Sequence, residues 1–232
     1  MSNSLTAIVP ILNEEKFLDE SVKRLLQVEE INEVFLVDDC STDNSLKIMR
    51  KIELKNKKVK VFESPHTTNK GKGDAIARVK KYINSNYVVI HDADLEYNPQ
   101  DIKKLFDLIN ENQEIFLIGS RFLKDKKVQH YYRTYAANKF LSWLFSFVHG
   151  KKLTDIATCY KLMPSNFFKK TDFKETGFTI EVELVAKFLK KSKNILEAPI
   201  SYSARTYEDG KKIRVRDGFK YIYAIFKYKF SY

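Results

Sequence analysis

Residues 34–43 read VFLVDDCSTD, so four apolar residues are followed at once by two aspartates and by residues that commonly cap helices. A short apolar run of this kind predicts a buried strand, and the polar residues after it predict a turn into a helix. The same succession occurs at residues 87–96, which read YVVIHDADLE. Carboxylates placed directly after buried strands are therefore the feature that decides the fold.

Strand-like and helix-like segments alternate on both sides of these stretches. The strand-like segments are short and bounded by polar or turn residues, at 5–10, 34–37, 59–62, 87–91 and 115–119. The helix-like segments carry apolar residues at three- and four-residue spacing, at 14–27, 45–54, 74–83 and 101–110. This alternation predicts an α/β fold in which a Rossmann-like, mostly parallel sheet is flanked by helices. Ligands of such sheets bind outside the carboxyl ends of the strands, which is where the aspartates fall.

The second half is less regular and ends in a segment rich in aromatic residues and lysine. We expect a helix over 131–148, a strand near 159–163, a helix over 181–190 and a further segment at 195–202. The last stretch predicts an amphipathic helical extension, so we divide the chain into a domain of residues 1–216 and an extension of residues 217–232. Either its rings lie at a membrane headgroup boundary with the lysines near anionic lipids, or its aromatic stripe packs on the domain.

Composition limits the possible partners and compartments. The 232 residues include 41 Lys and Arg against 30 Asp and Glu, a net charge of +11 that predicts an anionic partner: nucleic acid, phosphate groups or an acidic membrane surface. Two cysteines are too few for a disulfide framework or a zinc cluster, which favours a cytoplasmic protein. No apolar stretch approaches the roughly 20 residues that span a bilayer, and the N-terminus does not resemble a secretory signal. We expect a protein that lies on the cytoplasmic face of a membrane.

Asp92, Asp94 and Glu96 alternate directly after the fourth expected strand. In an extended segment, alternate side chains point the same way, so three carboxyl groups would converge beyond the sheet edge. Oxygen ligands of this kind suit Mg²⁺ or Mn²⁺. The alternative is a solvated acidic loop before the next helix.

Two further features lie near the same edge. Asp38 and Asp39 follow the second strand, where a carboxylate can bind a ribose hydroxyl or a base N–H. The turn at 69–75, NKGKGDA, opens a helix with two lysines and is a candidate phosphate neighbourhood. Neither a P-loop nor a G-x-G-x-x-G after the first strand occurs, which disfavours P-loop enzymes and dinucleotide oxidoreductases.

In this order, the motifs resemble those of the family 2 glycosyltransferases, which have the GT-A fold. The motifs that carry the resemblance are VPILNEE at 9–15, VDDCSTD at 37–43, KGKG at 70–73, DAD at 92–94 and GSR at 119–121. The second half is similar to the polyprenyl-phosphate hexosyltransferases, a group that includes the dolichyl-phosphate mannose synthases. That similarity rests on Arg133, AAN at 136–138, TDIATCYK at 154–161, ISYSAR at 200–205 and GKKI at 210–213.

The resemblance implies an inverting, metal-dependent enzyme of cell-envelope or glycan biosynthesis. It would transfer a hexose from GDP-mannose or UDP-glucose to a polyprenyl or dolichyl phosphate, with Mg²⁺ or Mn²⁺ bound by Asp92, Asp94 and Glu96. The positions that match the family's nucleotide-sugar pocket are Pro10, Leu12, Glu14, Val37, Asp39, Lys72, Asp92 and Ala93.

The residues expected to act on the reacting groups are Asp94, Arg121, Arg133, Asp155, Arg205 and Lys211. A lipid phosphate is already negatively charged, so it needs cations that desolvate and aim it rather than a strong base. Guanidinium groups suit this task because they bind phosphate oxygens in pairs, while lysine supplies a point charge.

Two other functions remain open from the sequence. A family 2 transferase could use a hydroxyl acceptor on a cell-surface glycan or lipid, for which Asp155 is the candidate base. A nucleic-acid-binding domain would explain the net charge, but the basic residues are spread along the chain, without RNP-like aromatics or a helix-turn-helix pattern. We therefore expect no nucleic-acid partner.

Overall fold

The computed structural model describes residues 3–109, 114–123, 132–205 and 215–230. These residues form one seven-stranded sheet flanked by helices. The strands are β1 (Leu5–Ile11), β2 (Ile31–Asp38), β3 (Val59–Phe62), β4 (Tyr87–Ile90), β5 (Phe116–Ser120), β6 (Lys161–Pro164) and β7 (Ile195–Pro199). The helices are α1 (Leu18–Leu25), α2 (Ser45–Lys55), α3 (Lys72–Arg78), α4 (Gln100–Phe106), α5 (Tyr132–His149), α6 (Ser165–Lys170), α7 (Ile180–Lys191) and α8 (Val215–Phe230), with a 3-10 turn at Lys80–Tyr82.

The sheet has the strand order β3-β2-β1-β4-β6-β5-β7, and every neighbouring pair is parallel except those that include β6. The predicted α/β architecture with a mostly parallel sheet is confirmed. Because β1 lies between β2 and β4, the carboxyl ends of these three strands emerge side by side. The topology alone therefore brings the two aspartate motifs to one edge.

The central strands explain why the sequence showed apolar runs rather than alternation. In β1, β2 and β4, nearly all side chains are buried, because helices cover both faces of the sheet. β2 begins three residues before its expected start, since Ile31 and Glu33 already pair with β1. The polar residues at 32 and 33 hid that part of the strand.

The helices α1 and α3 have other bounds than the sequence predicted. α1 begins at Leu18 rather than at residue 14, because Asn13 has a positive φ of 52° and the Glu14 N–H donates to Ser45 Oγ at 2.9 Å. The expected helix at 74–83 is the shorter α3, which is followed by the 3-10 turn.

Helix α8 has two faces with different environments. Tyr221, Ala224, Ile225 and Tyr228 are buried, and all four belong to the same core as the sheet. The helix packs on α5 and α7. The second interpretation of the extension, packing on the domain, therefore holds for this face, while other aromatic residues of α8 remain exposed. The division of the chain at residue 217 stays a prediction; the helix itself begins at Val215.

Among the described residues, no helix combines the length and the hydropathy that a membrane span requires.

Truncation of Ile225 should destabilise the protein much more than truncation of an exposed residue on the same helix. Ile225→Ala removes a fully buried side chain, so we expect the free energy of unfolding to fall by about 2–5 kcal/mol. Phe219→Ala, at an exposed position, should change it by less than about 0.5 kcal/mol. Urea unfolding followed by circular dichroism measures both, and equal losses would contradict the packing of α8.

Candidate active site

The DAD motif lies in a turn directly after β4, not in an extended segment. Leu95 has a positive φ of 61°, which redirects the chain between Asp94 and Glu96. The Glu96 carboxylate accepts hydrogen bonds from Tyr202 Oη at 2.6 Å and from the Arg205 N–H at 2.8 Å. The three carboxylates therefore do not alternate along an extended segment, and Glu96 holds the segment after β7; its place among the metal ligands stays a prediction. Within the described ranges, no group of three or more His, Cys, Asp or Glu residues is arranged to hold a metal.

Asp92 and Asp94 remain together at the edge, with different neighbours. Although burial opposes ionisation, the Lys72 ammonium holds the pKa of Asp92 below its ordinary value. Burial and the negative charges of Asp92 and Glu96 raise the pKa of Asp94 to about 7, against the opposing effect of Arg205. Asp94 Oδ2 lies 3.2 Å from Arg205 Nη2. The site therefore holds negative charge that its own cations compensate only in part.

This pair of carboxylates fits a hard divalent cation. Mg²⁺ is commonly held by one or two carboxylates together with phosphate oxygens of a substrate, and the donors here are all oxygen. The raised pKa of Asp94 shows that an added cation would relieve an existing charge excess. Asp92 and Asp94 are thus the residues that would hold Mg²⁺ or Mn²⁺.

Lys72 lies beneath these carboxylates. Its Nζ atom is 2.8 Å from Asp92 Oδ1 and 2.7 Å from Glu181 Oε1, and its side chain is 7% exposed. Glu181 Oε2 lies 2.7 Å from Lys161 Nζ. The oxygens of Glu181 make these contacts as ion pairs, without the directional geometry of hydrogen bonds. Lys72, which was expected to contact the nucleotide sugar, is therefore part of a buried series of side chains with alternating charges.

The glycine turn before α3 is closed by another loop. A Cβ atom at Gly73 would lie 2.1 Å from the Glu175 carbonyl oxygen, and one at Gly71, where φ is 109°, would lie 2.6 Å from that of Thr176. The Thr176 carbonyl also accepts the Asp74 N–H at 3.1 Å. The loop at 175–177 packs directly on this turn, and the expected phosphate neighbourhood stays a prediction. The glycines of the turn are required for close packing.

Helix α8 holds that loop in place. Glu175 Oε1 accepts from Lys227 Nζ at 2.6 Å and from Tyr228 Oη at 2.9 Å. The Tyr221 hydroxyl donates to the Phe178 carbonyl at 2.9 Å. The C-terminal helix thus braces the turn that carries Lys72.

Asp39 supports the turn from the opposite side. Its two carboxylate oxygens accept the N–H groups of Lys70 and Gly71 at 2.9 and 2.7 Å. The neighbouring Asp38 accepts the N–H groups of Cys40 and Ser41 and so orders its own loop. Asp39 therefore has a structural role. Its role as a contact to the nucleobase stays a prediction.

The other expected nucleotide-pocket positions share the same edge. Pro10 and Val37 are partners in the β1–β2 register, and Leu12 follows the end of β1. Glu14 Oε2 lies 3.2 Å from Arg205 Nη1, and Ala93 is buried within the DAD turn. Arg205 therefore connects the end of β1 to the turn after β4.

On the acceptor side, Arg121 and Asp155 form a two-pronged ion pair. Arg121 Nε lies 2.7 Å from Asp155 Oδ2 and Nη2 lies 2.8 Å from Oδ1, while the Arg121 N–H also donates to Oδ2. Asp155 is fully buried, so both oxygens are occupied away from solvent. Its carboxylate positions Arg121, and its alternative role as a base for a hydroxyl acceptor stays a prediction.

Tyr202 lies close to Arg121 in space and close to Arg205 in the sequence. The Arg121 guanidinium carbon is 5.0 Å from the centre of the Tyr202 ring, and Arg205 follows Tyr202 by three residues. Lys211 lies outside the described residues, and so does the side chain of Arg133. Sequence reasoning missed the role of Lys161 altogether; a charged residue at the start of an apolar strand is the signal that could have found it.

Asp94→Asn should stabilise the metal-free protein at pH 8. The folded-state pKa of about 7 lies above the ordinary 3.8, so the ionised carboxylate destabilises the fold; this effect grows as the pH rises from about 4 and is complete above about 7. We expect a gain of about 4 kcal/mol at pH 8 and almost none at pH 4. Thermal and urea unfolding at both pH values measure it, with the exposed Asp107→Asn as control. A less stable variant at pH 8 would be the contrary result.

Comparisons with known proteins assign the family. The model of "Glycosyl transferase family 2" matches residues 6–176. The UDP-N-acetylglucosamine–dolichyl-phosphate N-acetylglucosaminyltransferase of Methanococcus voltae is 30% identical, over 96% of this chain and 94% of its own. The dolichol-phosphate mannosyltransferase of Pyrococcus furiosus is 25% identical over 96% of this chain, which spans 63% of that protein.

A solved structure supports the fold. The glucosyl-3-phosphoglycerate synthase of Mycobacterium tuberculosis, crystallised with Mn²⁺, UDP and phosphoglyceric acid, superposes with a TM-score of 0.74 over 98% of this chain and 78% of its own. At 14% identity this likeness establishes the architecture alone. Together with the family match over residues 6–176, it shows that the chain belongs to the family 2 glycosyltransferases and has the GT-A fold.

Proposed function

We propose that the protein transfers a sugar from a nucleotide diphosphate sugar to the phosphate of a polyprenyl or dolichyl lipid. The observation that carries this proposal is the Arg121–Asp155 pair, in which the buried Asp155 carboxylate fixes the Arg121 guanidinium at the sheet edge. An anionic acceptor needs a fixed cation of this kind and needs no strong general base. The names of the relatives from M. voltae and P. furiosus point to the same class of acceptor.

In this proposal, the residues of the chain orient two anions. Asp155 holds the plane of the Arg121 guanidinium, so that its free edge can bind phosphate oxygens. Arg205, between Glu14 and Asp94, lies where the donor and acceptor sides meet. A divalent cation held by Asp92 and Asp94 would supply charge stabilisation to the departing diphosphate. Attack from the far side of the anomeric carbon would invert it and give a β-linked product from an α-linked donor.

The donor belongs to the proposal as well. We place UDP-N-acetylglucosamine first, because this donor is named for the M. voltae relative, and the alignment with that relative covers nearly the full length of both proteins. GDP-mannose and UDP-glucose, which the sequence resemblance implies, are the alternatives. The identity of the base depends on the edge formed by Val37 and Asp39.

Transfer assays with the three donors, Mn²⁺ or Mg²⁺ and a short polyprenyl phosphate test this function. We expect one donor to give a sugar–phospholipid detected by product mass, with a β linkage by NMR. Arg121→Lys should lower kcat/KM for the lipid phosphate by about tenfold or more, since it loses a paired contact to a charged group, while the KM of the donor stays near its original value. The exposed Arg24→Lys is the matched control. Transfer to polyprenol or a glycan hydroxyl, but not to the phosphate, would support the hydroxyl-acceptor alternative instead.

We also propose that the protein acts at the cytoplasmic surface of an anionic membrane. α5 and α8 pack side by side, and both expose a stripe of rings at helical spacing. We call this surface the aromatic face: Phe140, Trp143, Phe147, Phe219, Tyr223, Phe226 and Phe230. Exposed patches of this kind mark interaction sites. Rings beside lysines such as Lys220 and Lys229 suit a headgroup boundary, which is where a lipid phosphate is found.

Trp143 gives this proposal a direct spectroscopic test, because it is the only tryptophan and is 60% exposed. Vesicles of phosphatidylcholine with phosphatidylglycerol should shift its emission to the blue, and Phe147→Ser with Phe230→Ser should weaken binding by about tenfold or more, since both remove exposed rings. Leu54→Ser, at an exposed site on α2, should bind as the original chain does. An unchanged emission, together with a dimer in sedimentation that these changes abolish, would show that the face joins two copies instead.

A further inference from the structure

Four ionisable side chains form a continuous series beneath the DAD turn. Asp92 contacts Lys72 at 2.8 Å, Lys72 contacts Glu181 at 2.7 Å, and Glu181 contacts Lys161 at 2.7 Å. Their charges alternate in sign, and they come from four separate segments: the end of β4, the start of α3, the start of α7 and the start of β6. Only the first member would touch a metal.

The inner members of this series are out of water. Lys161 is fully buried and Glu181 is 2% exposed. Burying such a pair costs desolvation energy, and apolar residues of similar volume often serve stability equally well. Stability alone therefore does not explain these buried charges, and their effect on Asp92 is the alternative.

Lys72 is shared between two carboxylates. Its Nζ atom lies at nearly the same distance from Asp92 and from Glu181, so the ammonium is held between the two carboxylates rather than against Asp92 alone. Without the charge of Glu181, Lys72 would act on Asp92 alone. A lysine that neutralises Asp92 more completely would compete with any cation bound to the same carboxylate.

Lys161 fixes the position of Glu181. Its Nζ atom also donates to the carbonyl oxygens of Ile156 and Thr158, so the ammonium is held from three directions. Glu181 therefore cannot follow Lys72 if the latter moves toward Asp92. The series works as an anchored counter-charge.

We propose that Glu181 is a positioning residue for the donor site: it holds the Lys72 ammonium between two carboxylates, so that Lys72 does not pair with Asp92 alone and Asp92 can bind the divalent cation. This inference rests on the proposed function only in its use of that cation. It names a role for Glu181, Lys161 and Lys72 that neither the family match nor the relatives assign.

Binding of Mn²⁺ alone to the full chain tests the inference without any turnover, with the electron paramagnetic resonance signal of free Mn²⁺ as readout. Glu181→Gln should raise the Kd for Mn²⁺ roughly tenfold, because Lys72 then loses its second carboxylate and pairs with Asp92 alone, where it competes with the cation. Lys72→Met should leave the Kd at or below its original value. The double variant should return to the Kd of Lys72→Met, since the defect of Glu181→Gln needs the lysine. Glu197→Gln, at a half-buried position without contact to Lys72 or Asp92, should bind as the original chain does.

Three outcomes would overturn the inference: an unchanged Kd in Glu181→Gln, a double variant as weak as Glu181→Gln, or an original chain that binds no Mn²⁺. Circular dichroism reports folding, and if Glu181→Gln does not fold, Glu181→Gln with Lys161→Met removes both buried charges and should show the same weaker binding. A chain that transfers sugar while Glu181→Gln binds Mn²⁺ normally refutes the inference and leaves the proposed function standing. If the Mn²⁺ affinities follow the expected pattern but the chain does not transfer sugar to polyprenyl phosphate, the inference stands and the proposed function is refuted.

Discussion

Repulsion among carboxylates is the constraint on which the rest of this structure depends. The parallel order of β2, β1 and β4 forces several acidic side chains to one edge of the sheet. Each is compensated differently: Asp39 by backbone N–H groups, Asp92 by Lys72, and Asp94 in part by Arg205. Asp94 is the least compensated, as its raised pKa shows. Positive charge is therefore what this site lacks, and a divalent cation held by Asp92 and Asp94 would supply it.

Around Arg121 the central group is a cation rather than a carboxylate. Arg121 is a buried cation. Its partner Asp155 contacts it through both carboxylate oxygens and is fully buried from solvent. Such a pair keeps a guanidinium rigid without neutralising its outer edge completely. Tyr202 and Glu96 connect this cation to the turn that carries Asp94, so the two sides are held at a fixed distance by ordinary hydrogen bonds and ring contacts.

Much of the fold could be predicted because its signals are local. Apolar runs and helical spacing identified β1 to β5, and the ordered motifs pointed to Asp92, Asp94 and Arg121 as members of one site. The rest depends on contacts between distant segments. No spacing rule shows that Asp155 is paired with Arg121, that Lys72 and Lys161 meet at Glu181, or that Leu95 adopts a left-handed conformation that turns Glu96 away. The two faces of α8 were both visible in the sequence, but which residues belong to each face required the packing.

The brace between α8 and the loop at 175–177 has a consequence for the order of assembly. A ribosome makes the glycine turn and both aspartate motifs long before it makes Lys227 and Tyr228, which hold Glu175. Early elements of a nascent chain can pair into a sheet while the later ones are still being synthesised. The contacts that Lys227 and Tyr228 make with Glu175 therefore form last, after the loop that covers Gly71 and Gly73 has been synthesised. Completion of the packing around the glycine turn is a late event in the synthesis of this chain.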